Sequence, residues 1–597
     1  MRSLLDKTIS HLSSQHLFPQ IPKVYFSPVG QVCPDCKRQH KVMKTVTKTI
    51  ITLHIGQFNA HMTSLFCPHC DNKQIYIPSE PQTLVPPFCN VGYDVLIYVG
   101  RQVYENYQTA KEISIALQNR NIILSDSEIY FLAKKFLTYL EVAHQQCRPG
   151  IKRLMQENNG YILHIDGTCD GRSPHIITVI DAISGFVLDS IKIATENSPQ
   201  IIPMLRQIQT HFGQPLAVVS DMGSALILAL ATVFDQIPHF ICHFHFLRDI
   251  GKDLLNHDYD VIRKRLKTSK ISSQLHKRNR LFEGKLNQSP HVAQQFLETY
   301  DQDNSNRMRE SESSIIIYCQ TLIQWALKGK NQGQGYGFPF DRSYLIFYQR
   351  LMIAYNSLRE MEINYRSNKP KQNKFVLQLI KDIKPVVEDE YCQLSVIALL
   401  RKIEVFDEFR QVMRLAPVHG KKGLNDNGQI DEIKSIEQGV KTFYNGLIEN
   451  PDHEDYKKMI NQIKKYWGKL FADPIIVTMG TEKVKIQPQR TNNIMEQFFR
   501  KLKRIFIRKS GSSSMRKTLE TILPSVTFIN NLKNEQYMKI LLKDKATLEE
   551  RFADIDAEII RNKLKKSFQN NYSEKIQKIT DDIDFPKKLM HHFQLAL

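Results

Sequence analysis

Between Tyr161 and Phe244 the apolar positions fall in short unbroken runs, whereas from about His257 to Gly480 they recur every three or four residues. Runs of the first kind, rich in β-branched residues, read as buried strands, and the second period reads as helix. The first stretch therefore predicts a strand ending at Asp166, a hairpin of His175 to Ala182 and Phe186 to Ile193 around Ile183-Ser184-Gly185, a helix from Pro199 to Phe212, and a fourth strand ending at Asp221. A helix from about Ser224 to Phe234 and a strand from His239 to Phe244 follow, closed by Cys242-His243-Phe244-His245. The strands that end at Asp166 and Asp221 have room between them to be parallel neighbours. That would set two carboxylates one inter-strand spacing apart, a separation that suits a hard divalent cation.

The helical stretch includes Leu345 to Met361 and Leu394 to Met413, with breaks expected at Asp301 to Ser313, Lys328 to Gly337 and His419 to Asp431. Gly333-Gln-Gly-Tyr-Gly337 lacks the lysine and hydroxyl residue of a phosphate loop and reads as a plain loop. From Arg490 to Arg504, Met495, Phe498, Phe499 and Leu502, joined by Phe506, mark the buried face of one helix. Asn492, Asn493, Glu496, Arg500 and Lys503 fall on its other side. From Arg490 to Leu519 there are nine basic residues and one acid, Glu496, so a metal ligand explains that acid better than a solvated ion pair does.

Nearer the start, Ala110, Ile113, Ile115 and Leu117 trace one helix. Ser125-Asp-Ser-Glu128 is a capping-box signature for a second, through Phe131, Leu132 and Phe136. The pair fits a DNA-reading helix-turn-helix and plain helical packing equally well. Before it, Cys33-Pro-Asp-Cys36 and Cys67-Pro-His-Cys70 flank a Thr/Ile/Val-rich segment, and two such knuckles joined by a hairpin supply four thiolates to one structural zinc. Cys89 reads as an ordinary residue.

Composition narrows the partner. The 597 residues carry 81 Lys and Arg against 61 Asp and Glu, a net charge of +20 that favours nucleic acid over a small neutral substrate. No apolar run is long enough to cross a membrane, and the opening residues lack a signal-peptide core, so a soluble intracellular protein is expected. The length calls for several domains. The expected division is 1–80 zinc ribbon, 81–150 helical DNA-binding domain, 151–256 and 481–535 two parts of one α/β core, 257–480 helical, and 536–597 a C-terminal helical tail.

Taken together, Asp166 and Asp221 on their strands, Cys242-x-x-His245, and Glu496 in a basic Asn-Asn-x-x-Glu helix resemble the DDE transposases. The nearest likeness is to bacterial insertion-sequence enzymes with an N-terminal zinc ribbon and helix-turn-helix, and more distantly to Mutator-like transposases. The resemblance implies an RNase H-like α/β core of three antiparallel strands then parallel ones, interrupted by a large all-α insertion. It implies two magnesium ions, or manganese, on Asp166, Asp221 and Glu496. Cutting and strand transfer on double-stranded DNA, at transposon ends and target, would follow, by a homodimer or higher oligomer. Cys242, His245 and Asn493 would support the acids or contact DNA; a buried cysteine and a capping histidine are the plainer alternative. Arg490, Arg500, Lys501, Lys503, Arg504, Arg508 and Lys509 would hold phosphates. The compartment would be cytoplasmic and nucleoid-associated in a bacterium, nuclear in a eukaryote. A non-catalytic DNA-binding derivative of a transposase is the second reading, and a structure-specific nuclease of the same fold the third. Asp170, Asp181, Asp189, Asp235 and Asp249 sit at strand ends or on helices, where turns and caps explain them.

Overall fold

The computed structural model of the protein describes residues 20–30, 32–70, 74–300, 311–365, 374–416, 430–479, 482–512, 514–569, 579–580 and 582–594. Its central sheet has the order β7-β6-β5-β8-β9, with β5 Ile162–Thr168, β6 His175–Asp181, β7 Val187–Ile193, β8 Ala217–Ser220 and β9 His239–Ile241. The first three strands are antiparallel neighbours, and β8 and β9 extend the sheet in parallel from β5. Crossover helices at Ser198–Phe212 and Ser224–Val233 fall where the 3.6-residue period places them. The architecture is mixed α/β with mixed sheets.

One face of the sheet, carrying Leu163, Ile165 and Val218, lies in a core that runs from Tyr93 through Phe234 and resumes from Met495 to Leu564. The helices within 81–150 consequently have no core of their own. The capping box at Ser125 and Glu128 forms, but its helix runs from Asp126 to Glu157, well beyond the expected end, and is mostly buried from Leu132 onward. Helical packing therefore accounts for most of this helix. A further helix, Tyr93–Tyr104, precedes the expected pair. The C-terminal helices Glu535–Leu542 and Leu548–Ala553 close the same core, where the Tyr537 hydroxyl meets His144 Nδ1 at 2.8 Å.

The other face, with Ile162, Ala217 and Val219, is covered by Ile475 and Ile486. These two belong to an antiparallel hairpin, β10 Ile475–Met479 and β11 Glu482–Ile486, where the helical pattern was expected to continue to Gly480. A second, mostly helical core gathers residues from Ile241 to Leu470. The loop at 333–337 is held by the Asp341 carboxylate, which accepts from the backbone of Gln334, Gly335 and Gly337. The expected breaks at 301–313 and 419–431 lie mostly outside the described residues.

The N-terminal sheet is a third unit with a small core around Phe26, Ile50 and Phe58. Its strands are β1 Lys23–Phe26, β2 Lys41–Thr52, β3 Gly56–Phe66 and β4 Ile75–Tyr76, in the order β1-β3-β2 with β4 beside β3. The turn between β2 and β3 is moored to the main body: Gly92 N donates to Ile51 O at 2.8 Å and Leu53 N to Asp94 Oδ2 at 2.7 Å. The cysteine knuckles sit at the opposite end. No helix among the described residues is long and apolar enough to cross a membrane.

Candidate active site

Residue register places the first two acids. Ile165 on β5 pairs with Ser220 on β8 in parallel, so the next residues, Asp166 and Asp221, stand side by side, about 4.8 Å apart in backbone, although β5 runs past its expected end at Asp166 to Thr168. Each carboxylate folds onto the glycine that follows it: Gly167 N donates to Asp166 Oδ1 at 2.7 Å and Gly223 N to Asp221 Oδ1 at 3.0 Å. Glu496 enters from the first turn of the Asn493–Ser510 helix, whose Met495, Phe499, Leu502 and Phe506 are buried as the pattern predicts. Its side chain is 19% exposed, and its ion pair with Arg500 is long, at 3.9 Å.

Asp166 lies in the field of the other acids. Burial pushes Asp166 well above the ordinary carboxylate range, and the charges of Asp221, Glu496 and Glu196 add to that push. Burial also raises Asp221 and Glu496, against the partial compensation of Arg248, with Arg500 helping at Glu496. Buried carboxylates with so few donors are a site short of positive charge, and a hard divalent cation with oxygen ligands fits that deficit.

Glu196 was not singled out in the sequence. A Cβ on Gly223 would stand 2.7 Å from Glu196 Oε1 and 3.1 Å from Asp221 Oδ1, so these carboxylates share one small space that only a glycine leaves open. Glu196 is raised by burial and by Asp221, and His175 Nδ1 lies 3.8 Å from its Oε2. It precedes Asn197, the residue that caps the next helix. From sequence alone an acid in that place is indistinguishable from an ordinary helix-start acid. Arg248, the cation that faces both Asp221 and Glu496, was likewise not picked out.

The asparagine that matters is Asn492, one residue before the expected Asn493. It is fully buried, donates through Nδ2 to Ile165 O at 3.2 Å, accepts at Oδ1 3.0 Å from His164 Nδ1, and donates its backbone N–H to Cys242 Sγ at 3.2 Å. Asn493 is half-buried and has no such ties among the hydrogen bonds described. Cys242 does not close a strand: β9 stops at Ile241, and Cys242 caps the helix His243–Thr268, placing His245 in its first turn. Burial drives the Cys242 thiol up to about 12 and His245 down to about 3. Both are thus neutral near pH 7, the thiol acting as an acceptor that joins β9 to Asn492.

The chain matches no protein-family model and no curated protein.

Of the expected phosphate-binding residues, Arg500, Lys501, Lys503 and Arg504 are exposed along one helix. Arg490 is not on that surface. Its guanidinium is buried and donates to the carbonyls of Met413 and Arg414, at 2.6 and 3.1 Å. The side chains of Arg508 and Lys509 lie outside the described residues. Asp170, Asp181 and Asp189 serve structure: Asp170 accepts from Met515 N, Asp181 from Ile162 and Ile183 N, and Asp189 pairs with Arg148. Asp235 and Asp249 are exposed.

Cys33, Cys36, Cys67 and Cys70 converge as expected, with sulfur separations of 3.7 Å for Cys33 and Cys70, 3.4 Å for Cys36 and Cys67, and 3.6 Å for Cys67 and Cys70. Tetrahedral Zn–S bonds of about 2.3 Å imply edges of about 3.8 Å, so the cluster could bind zinc. Among the described residues it is the one group of His, Cys, Asp and Glu whose ligand atoms all lie within 4.8 Å of one another; the carboxylates stand wider. Cys89 packs beside the small core of this sheet.

Proposed function

We propose that the protein is a DDE transposase with an RNase H-like core and an all-α insertion, acting on DNA ends through Asp166, Asp221 and Glu496. The observation that carries the reading is the meeting of these acids, two from adjacent parallel strands and one from a helix 275 residues later in the chain. Magnesium held by them would supply Lewis acidity at phosphorus and a more acidic water for in-line displacement.

The chain's own groups prepare that chemistry. Gly167 and Gly223 N–H groups fix one oxygen of each aspartate and leave the others free. Asn492 ties the glutamate's helix to β5, and the charge of Arg248 partly offsets the burial of both Asp221 and Glu496. Arg500, Lys503 and Arg504 continue outward on the same helix as cations for the phosphate backbone.

The test is cleavage and joining of a duplex bearing the gene's flanking inverted repeats, with magnesium present. Alanine at position 166, 221 or 496 should cost more than the roughly 100-fold of an outer-shell change while duplex binding persists. Undiminished cleavage by these variants sinks the proposal. Binding without cleavage by the unaltered protein would favour the non-catalytic DNA-binding reading.

A further inference from the structure

The N-terminal sheet has two unlike faces. One carries Phe26, Ile50 and Phe58 into its small core. The other is open at its distal half, where β2 is exposed from Lys41 to Thr47. On that open face Tyr25 pairs in register with His61, and His61 with Thr47. The rings of Tyr25 and His61 stack at 4.9 Å between centroids, 18° from parallel, and Tyr25 is 72% exposed. Thr47 Oγ1 holds His61 Nδ1 at 3.0 Å, and the Thr45 and Thr63 hydroxyls bond at 3.1 Å beside it.

We propose that this face is a stacking platform for the unpaired bases of single-stranded nucleic acid, a reading that deepens the proposed function and takes the class of partner from it. An aromatic stack clamped from behind by hydrogen bonds and open in front gains little for folding, because Tyr25 is not removed from water. A planar base can continue that stack. Bases inside a duplex already spend their faces on one another, so the fitting ligand is an unpaired strand. Charge agrees: residues 20–70 hold six Lys and Arg and one acid, Asp35, and Lys23 lies two residues from Tyr25 on the same face. At a transposon end, such a surface would hold strands separated around the cut.

Full-length, zinc-loaded protein should be titrated, by fluorescence anisotropy, with a short oligothymidylate, an abasic strand of equal length and an equal-length duplex. The oligothymidylate is expected to bind about tenfold or more tighter than the abasic strand. Tyr25→Ala should erase that difference, Tyr25→Phe should keep it, and duplex affinity and bound zinc should be the same in all three proteins. Equal binding of the thymidylate and abasic strands, or a base preference that survives Tyr25→Ala, overturns the platform, as does concentration-dependent self-association that Tyr25→Ala abolishes. Failure to bind strand and duplex alike instead overturns the nucleic-acid reading beneath it.

Discussion

The carboxylates pose a problem of sign at the level of single residues. Asp166, Asp221, Glu496 and Glu196 all have pKa values displaced upward by burial, whereas in the unfolded chain they titrate near pH 4. Below about pH 4 they are protonated in both states and the fold carries no penalty. As pH rises from there up to their folded values, the unfolded chain ionises freely while the folded one resists, so metal-free protein loses stability over that window and recovers none above it. Asp166→Asn or Glu196→Gln should therefore raise the melting temperature of metal-free protein at pH 7 by a few °C and leave it nearly unchanged near pH 4. Magnesium should raise it in the unaltered protein and much less in Asp166→Asn. Calorimetry at both pH values decides, and a variant that melts lower at pH 7 would contradict the charge deficit. Asp166 and Asp221 were readable in the sequence because each ends or nearly ends an apolar run. Glu196 was not, since its partner across space is a glycine-flanked aspartate 25 residues on.

Between elements, the site depends on how the Asn493–Ser510 helix is pinned to β5. Two hydrogen bonds from the Asn492 side chain do this, to His164 and Ile165, and its backbone N–H adds a third to Cys242 beyond β9. Asn492→Ala removes the two made by the side chain and leaves His164 Nδ1 and Ile165 O buried without that partner, a cost of about 1–3 kcal/mol each at most. Activity should fall by more than the melting temperature suggests, while duplex affinity holds, because Glu496 loses its registration and the exposed cations do not. Unaltered activity in a folded Asn492→Ala protein would show that the helix is positioned by its apolar face alone. The helix and its buried face followed from the 3.6-residue period, but which of two consecutive asparagines turns inward depends on the cap geometry, which the pattern does not encode. The β10–β11 hairpin was legible and was passed over: Asp473-Pro474 precedes its first run and Gly480-Thr481 separates the two, although the preceding helix Lys457–Leu470 favoured a continued helical reading. Only its role, covering a distant sheet face, lies outside the local pattern.

The whole molecule is basic and its three cores are unequal in their dependence on one another. If the net charge of +20 meets DNA, duplex affinity should fall by about 10³-fold or more between 50 and 200 mM salt; a flat profile would argue against a phosphate-contacting surface. Chelating zinc from the Cys33, Cys36, Cys67 and Cys70 cluster should unfold the small N-terminal sheet, whose core is separate from that of the main body. The magnesium-induced rise in melting temperature should survive, and its loss on chelation would show that the sheets fold as one unit. The main core has a different reach. It draws on Tyr93 and on Leu564 together, with His144 and Tyr537 bonded across 393 positions. Residues as far along as Leu564 must therefore be translated before this core can seal, and until then the sheet face stays uncovered. A chain cut short before Met495 would keep that face bare permanently, so it should collect in the insoluble fraction rather than linger as a folded fragment.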